Sequence, residues 1–442
     1  MISGRIFIGP QEVAGYYSRL VEGFESINQP YDFYTFSRHR FGYGGQSRSF
    51  WLGRILMDFN SYREANDKAR LIPRLFLSIL GRFFHLAYFL ISIFRYDSFI
   101  FTYGTSFLKD NKDIPILRFF GKTIIMNMAH GSELRPPYID GSYQSSDGVE
   151  KPALQHLVYL AQNYSQRMSF LERHCTYIIG APFSSSQFAK RPFINSFALG
   201  VPCSTEGALS TKCKDDKLIS DSNSNKVRIV HSPSHEKLKG TRIIRDSITE
   251  LKQKGYQIEY IELQGRSNKE VLEELKVCDF VVDQIYSDSP MASFASEAAS
   301  FGKPAIVGGF GLEQLKNHIP EGMYPPSYIC LPDGITEAIE KLISDVEFRQ
   351  ELGSAAKSFV KKEWSVENVA KRFQSLISNQ IQNDWWLNPD TISYVHGIGQ
   401  DSFETKTIIA EIIAKFGTEA LQVGHRKALE AKFVAFSENE LC

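Results

Sequence analysis

The chain has little cysteine, six residues in 442, and none of the six forms a C-x-x-C pair or a metal-binding spacing. A disulfide scaffold and a zinc ribbon are therefore excluded, and the cysteines, most of them in apolar runs, read as buried thiols of a reducing compartment. Net charge is absent too, with 50 basic against 50 acidic residues, which argues against wholesale nucleic-acid binding. Long hydrophobic runs are missing. The uncharged stretch Phe83–Phe94, with four Phe, is too short to cross a bilayer, since a span needs about 20 apolar residues. Met1–Pro10 has Arg5 and a short apolar run but lacks the apolar core of a secretory signal, so a cytoplasmic location is expected. No long internal repeat is present.

What is present is enough apolar material, 43% of residues, for about two to three domains. The most informative stretch is Asp279–Gly309. Phe280–Val282 reads as a buried parallel strand. A polar loop with Asp283, Asp288 and Pro290 follows. A helix of small residues then ends at Phe301, with Gly302 closing it and Pro304 just beyond. Ala305–Val307 is a second strand, which completes a short β-α-β unit. Glu297 is the one acidic residue inside that small-residue helix. A carboxylate in a packed helix is costly without a partner, and a ribose diol held at the sheet edge is the candidate partner.

This passage resembles the donor-binding core of the retaining, two-domain glycosyltransferases of family 4, also called group 1 glycosyl transferases. Their segment reads roughly E-x₇-E-A-x-A-x-G-x-P-V. Glu297-Ala298-Ala299-Ser300-Phe301-Gly302-Lys303-Pro304-Ala305-Ile306 is similar to its second half. The family's first Glu falls at Ser289 in this chain, and Asp283, Gln284 and Asp288 are the nearest polar replacements.

Two further blocks fit. Lys226–Gly240 reads K-V-R-I-V-H-S-P-S-H-E-K-L-K-G and leads into an amphipathic run, Arg242–Lys254. A helix N-terminus beside lysines suits a diphosphate, because free N–H groups and the helix dipole favour anions. Lys239 matches the family's lysine, and Lys237 or Ser234 stands where the family often has Arg. The plainer reading is a capped surface helix with solvated lysines. In the first half, Ile124–Arg135 reads I-I-M-N-M-A-H-G-S-E-L-R, similar to the family's H-G-x-D-x-R. The resemblance places His130 near the transferred sugar, with Glu133 at the usual Asp and Arg135 at the basic position. The plainer reading has His130 ending a strand and Glu133 paired with Arg135.

The resemblance thus implies catalytic His130, Lys239 and Glu297. It implies a donor set of Ser234, Lys237, Gly240, Gln264, Gly265, Asp283, Ser293, Phe294, Ala295 and Gly15. Tyr103, Glu133 and Arg135 fall on the acceptor side, and Gly309 is a further candidate near the donor. No metal and no cofactor is expected, the nucleotide-sugar being a substrate. His231-x₃-His235 has zinc-like spacing, but Pro233 intervenes and no third ligand is near. Ser184-Ser185-Ser186 lacks a nucleophile elbow and reads as a helix cap.

The organisation expected is α/β: two Rossmann-like doubly wound domains facing a cleft, the GT-B architecture. The first occupies 1–205, with strands at Arg5–Ile8, Ser98–Thr102, Thr123–Met128, Tyr177–Ile179 and Ser196–Leu199 and a helix at Tyr16–Ile27. A polar linker, 206–225, separates it from the nucleotide-sugar domain at 226–379, and an extension follows at 380–442, packing back on the body.

The expected activity is transfer of a sugar, with retention, from a nucleotide-sugar to a saccharide or lipid-linked acceptor in cell-surface glycan or polysaccharide synthesis. Two alternatives stay open: a nucleotide-sugar 2-epimerase of the same fold, and a non-catalytic sugar-nucleotide or glycan-binding subunit. Between Arg38 and Arg95 ten Lys/Arg stand against three acids, around the aromatic run at 70–96. Peripheral contact with an anionic membrane and a helix packed on the sheet are both consistent with that pattern.

Overall fold

A computed structural model describes residues 4–36, 49–65, 71–143, 153–204 and 226–438. The expected linker 206–225, two of the cysteines (213 and 442), and the basic residues at 38, 40, 48, 68 and 70 lie outside the described residues.

The first sheet is built from β1 (Ile6–Gly9), β2 (Tyr31–Phe33), β3 (Ser98–Thr102), β4 (Thr123–Met128), β5 (Tyr177–Gly180) and β6 (Phe193–Asn195). These strands run parallel in the order β2-β1-β3-β4-β5-β6. Both faces are covered, which is why the strands read as continuous apolar runs. Alternate residues go to opposite faces. Phe7, Phe99, Phe101 and Met126 point to one core, and Ile6, Ile8, Ile100 and Ile125 to the other. The first core is closed by α2 (Trp51–Ala65), α3 (Leu71–Arg95) and α5 (Leu154–His174), the second by α1 (Tyr16–Ser26). A short α4 (Ile114–Phe119) connects β3 to β4.

Helix α3 is apolar on two sides. Tyr88, Phe89 and Ile93 pack on the sheet, while Ile79, Phe83, Leu86, Leu90 and Phe94 face solvent. Among the described residues no helix is long and apolar enough to cross a membrane.

One expected strand is not a strand. Pairing with β5 ends at Asn195, and Ser196–Leu199 forms a helical turn, α7, after an earlier turn, α6 (Pro182–Ser185). The reason is local. The Asn195 side chain accepts a hydrogen bond from the Phe197 N–H at 3.1 Å, an N-cap, and Gly200 at φ 88° ends the turn. A Cβ at Gly200 would stand 2.4 Å from the Trp364 ring, so glycine is required there on two counts.

The second sheet has β7 (Val227–His231), β8 (Ile258–Glu262), β9 (Phe280–Gln284), β10 (Ala305–Gly308) and β11 (Tyr328–Cys330), all parallel, in the order β8-β7-β9-β10-β11. Its helices are α8 (Glu236–Lys239), α9 (Thr241–Gln253), α10 (Asn268–Val277), α11 (Ser293–Ser300), α12 (Ile335–Ser344) and α13 (Val346–Lys362). Both sheets start at a central strand, step outward once, then reverse. Each therefore has a switch point, between β1 and β3 and between β7 and β9, where ligands bind in folds of this kind.

The chain then returns to the first half. In α14 (Val366–Ile377), Val369, Ala370, Phe373 and Leu376 pack against α1. Past it, β12 (Trp386–Leu387) adds antiparallel to β6 and covers the sheet edge. Two last helices, α15 (Ser402–Phe416) and α16 (Lys427–Glu438), lie beside α5 and Tyr138. Arg426 is buried and fixes this extension by donating to the carbonyls of Ser186, Pro389 and Ile392. Burial lowers its pKa to about 10.

Candidate functional site

The carboxyl ends of the two sheets face each other across a cleft of about 490 Å³. Val13 and Ala14 (after β1), Tyr103 (after β3), and Ala129, His130 and Ser132 (after β4) line one side. Ser234, Leu238 and Lys239 (after β7), Gln284 (the last residue of β9) and Tyr286, Asp288 and Ser289 (after it) line the other. Ala292 and Ser293, at the start of α11, also open onto it. Ala292 is the N-cap and offers no side-chain acceptor, so the first N–H groups of α11 are left for a ligand.

His130 sits at the wall with its Nε2 2.5 Å from the Tyr17 hydroxyl. The rings of Tyr16 and Tyr17 meet it edge-on at 5.0 and 5.2 Å. Burial lowers its pKa to about 3, so the imidazole is neutral near pH 7. Its backbone N–H donates to Glu133 Oε1 at 3.1 Å. Glu133 is buried behind the wall and does not line the cleft; burial pushes its carboxyl up to about 7. Arg135 does line it. Its guanidinium lies 2.8 Å from Asp288 and 3.5 Å from Asp140. Burial works against that charge, but the two carboxylates outweigh burial and hold the guanidinium firmly protonated. Burial alone would raise Asp288; Arg135 and the Ser184 hydroxyl prevail and keep its carboxyl below the usual range.

Lys239 is the last residue of α8. Its ammonium is 2.6 Å from Gln284 Oε1 and 3.3 Å from Asp283 Oδ1, at the end of β9. Asp283 is buried beneath it. Gly240 takes φ 69° and joins α8 to α9, but it is packed under Ile285, where a Cβ would come within 2.4 Å, and does not line the cleft. Lys237 points outward, 3.8 Å from Glu404. Gln264 and Gly265 are exposed in the loop after β8 and lie off the cleft. Gly15 and Phe294 are next to lining residues without lining it themselves, and Ala295 and Gly309 do not line it.

Glu297 has a protein partner. It accepts hydrogen bonds from the Arg19 guanidinium of α1 and from Asn268 Nδ2 at 2.9 Å. It is buried at the contact between the two halves and is not among the residues that line the cleft. Arg19 was missed in the sequence because nothing about its spacing marks it. His231 is equally engaged. The Val282 carbonyl, 2.8 Å from Nδ1, can only accept, so Nδ1–H donates and Nε2 accepts from the Thr241 hydroxyl at 2.9 Å. The other missed contributor is the extension. Ile398 and Gly399 line the cleft, the Gly399 N–H donates to Tyr286 O at 2.9 Å, and the Gly141 N–H donates to Ile398 O at 2.8 Å. The segment thus straps both halves together at the cleft mouth. The glycines at 397 and 399 were its one signal in the sequence.

No protein-family model and no curated protein matches the chain in sequence. Solved structures do match in shape. A glycosyltransferase from Rickettsia africae aligns with a TM-score of 0.50 at 10% identity, over 86% of this chain and 98% of its own. The chain has the GT-B fold. Two others align less closely at 11% identity, each over 85% of this chain and 100% of its own. One is an α,α-trehalose-phosphate synthase from Burkholderia xenovorans in complex with glucose-6-phosphate (TM-score 0.49), and the other is HepE from Anabaena in complex with UDP-glucose (0.47). At such identities the GT-B likeness speaks for the arrangement of the two sheets and their cleft.

Proposed function

We propose that the protein is a glycosyltransferase that moves a sugar from a nucleoside-diphosphate sugar to a hydroxyl of a saccharide or lipid-linked acceptor, with retention, in glycan or polysaccharide synthesis at the cytoplasmic side of a membrane. The observation that carries this reading is that Lys239 and the uncapped start of α11 line the same cleft. An ammonium and a set of free N–H groups at one place suit a diphosphate. As the sugar–oxygen bond breaks, negative charge grows on the departing diphosphate, and fixed cationic groups stabilise that state more than the starting one.

His130 faces the same space from the other half. A neutral imidazole can hydrogen-bond a sugar hydroxyl without opposing the positive charge that develops at the anomeric carbon; a protonated one would oppose it. The two carboxylates on the lining, Asp140 and Asp288, are both held by Arg135, so neither is free to attack the sugar. That favours addition of the acceptor oxygen on the face the diphosphate leaves, with the acceptor proton passing to a phosphate oxygen. Glu297 holds the ribose in this reading, which requires Arg19 to share or release it.

Incubation with a nucleotide-sugar and an oligosaccharide or polyprenol-phosphate acceptor, followed by NMR of the new anomeric proton, tests the proposal. A glycosidic product with the donor's configuration supports it. An epimerised sugar nucleotide indicates the 2-epimerase. Binding of donor without any conversion indicates a non-catalytic subunit.

A further inference from the structure

We infer that the outer face of α2, α3 and the end of α4 docks on an anionic lipid bilayer. From Ile79 to Phe94 the helix α3 is apolar on two sides, yet among the described residues only one of them has a protein partner. A helix of that kind belongs in a core or against another apolar phase. On its open side Ile79, Phe83, Leu86, Leu90, Ile91 and Phe94 follow at helical spacing, a stripe about 22 Å long at 1.5 Å per residue. Phe94 is 82% exposed and Phe83 64%. The stripe continues onto α4, where the Phe94 and Phe120 rings are 6.1 Å apart and Phe119 is 85% exposed. Alongside, α2 exposes Trp51 (63%) and Ile55. Monomeric soluble proteins rarely leave this much contiguous apolar surface in water.

Charge selects the occupant. From Ile79 to Arg95 the sequence holds no carboxylate, and its only charges are Arg82 and Arg95. Arg54, Arg82 and Arg118 are exposed, and no ion pair engages them among the described residues. An exposed face of aromatic and aliphatic side chains accompanied by arginines matches a bilayer with anionic headgroups, where each cation near the surface adds to apolar insertion. The orientation is also suitable. Two residues separate α3 from β3, and α3 packs on the sheet, so it runs antiparallel to the strand. Its N-terminal end therefore lies at the edge of the sheet that carries the cleft. A bilayer along α3 would run past the cleft mouth.

The inference does not depend on the reaction in the cleft, and its test uses neither donor nor acceptor. The full chain is floated with vesicles of phosphatidylcholine alone and of equimolar phosphatidylcholine and phosphatidylglycerol, at low and high salt. Binding to the anionic vesicles, weakened by salt and by about tenfold or more in Phe83→Glu/Phe94→Glu, is expected. Arg82→Glu/Arg118→Glu, which leaves the apolar stripe intact, should also lose affinity for anionic vesicles. Both pairs are on the surface, and unchanged thermal melting confirms the fold. Failure of the wild type to float with anionic vesicles overturns the inference. So does a dimer in solution that Phe83→Glu/Phe94→Glu converts to monomer, which would make the face a contact between copies of the chain.

Discussion

Arg135 Nη2 lies 2.8 Å from Asp288 Oδ2, so an ion pair ties the loop after β4 to the loop after β9 across the cleft. Both side chains are mostly buried, and Asp140 shares the same guanidinium. Removing one member of a buried pair leaves an uncompensated charge, which costs about 3–5 kcal/mol. Arg135→Ala should therefore lower unfolding stability by about that amount. In a double-mutant cycle with Asp288→Ala, the coupling should exceed about 1 kcal/mol. Additive effects in denaturant unfolding would show that the pair is not an energetic link between the halves.

The Arg19–Glu297 contact gives a second test. If Glu297 holds a ribose, Glu297→Ala should weaken nucleotide-sugar binding by at least about tenfold, since a hydrogen bond to a charged group is worth about 1.5–3 kcal/mol. The loss should persist in an Arg19→Ala background. Calorimetry that finds the loss only when Arg19 is present would reduce Glu297 to a domain-pairing residue.

Lys239→Ala should cut kcat more than it raises the donor KM, at a cost of about 2–4 kcal/mol in the barrier. The ammonium is held by Asp283 and Gln284 at the cleft wall, so its position is fixed before the donor arrives. A merely solvated lysine would change the kinetics by less than about 0.5 kcal/mol.

Glu133 predicts a pH dependence of stability. Its carboxyl titrates near 4.5 when unfolded and near 7 when folded, because burial disfavours the charge. Folding then favours the protonated form. That contribution is complete below about pH 4.5 and is lost as pH rises to about 7. Glu133→Gln, which mimics the neutral acid, should match wild type near pH 4.5 and exceed it by about 3 kcal/mol near pH 7.5. A stability difference that stays constant over that range in thermal melts would contradict the assignment.

Turnover should survive EDTA. The charge-stabilising groups at the proposed diphosphate site are Lys239 and the start of α11, and the carboxylates on the lining are committed to Arg135. Loss of activity on chelation, restored by magnesium or manganese, would require a different donor site.

The two sheets were readable in the sequence because their strands are short apolar runs and their helices begin and end on recognisable signals, such as Gly302 after α11 at φ 78°. Ser196–Leu199 misled because its apolar residues continue the β6 run, while the Asn195 cap that turns them acts through a side chain. The cleft positions of His130, Arg135, Lys239 and Ser293 were legible as residues that follow strands or open helices. Contacts between distant segments were not. Nothing local to Arg19 or Glu297 announces that they meet, and the strap at Ile398–Gly399 reaches the cleft only because the extension folds back over the first sheet. Gly240 shows the same limit from the other side. Its sequence context suits a phosphate loop, yet Ile285 covers it.

The central claim is that the cleft binds a nucleotide-sugar by its diphosphate and breaks the sugar–phosphate bond. Its most direct test is a panel of nucleotide-sugars incubated with the wild-type protein and with Lys239→Ala, the products read by mass spectrometry. The account predicts that wild type consumes one donor class with release of the nucleoside diphosphate, and that Lys239→Ala slows that release by about 30- to 1,000-fold, the barrier change given above. Consumption of no donor, or equal rates for the two proteins, would contradict it.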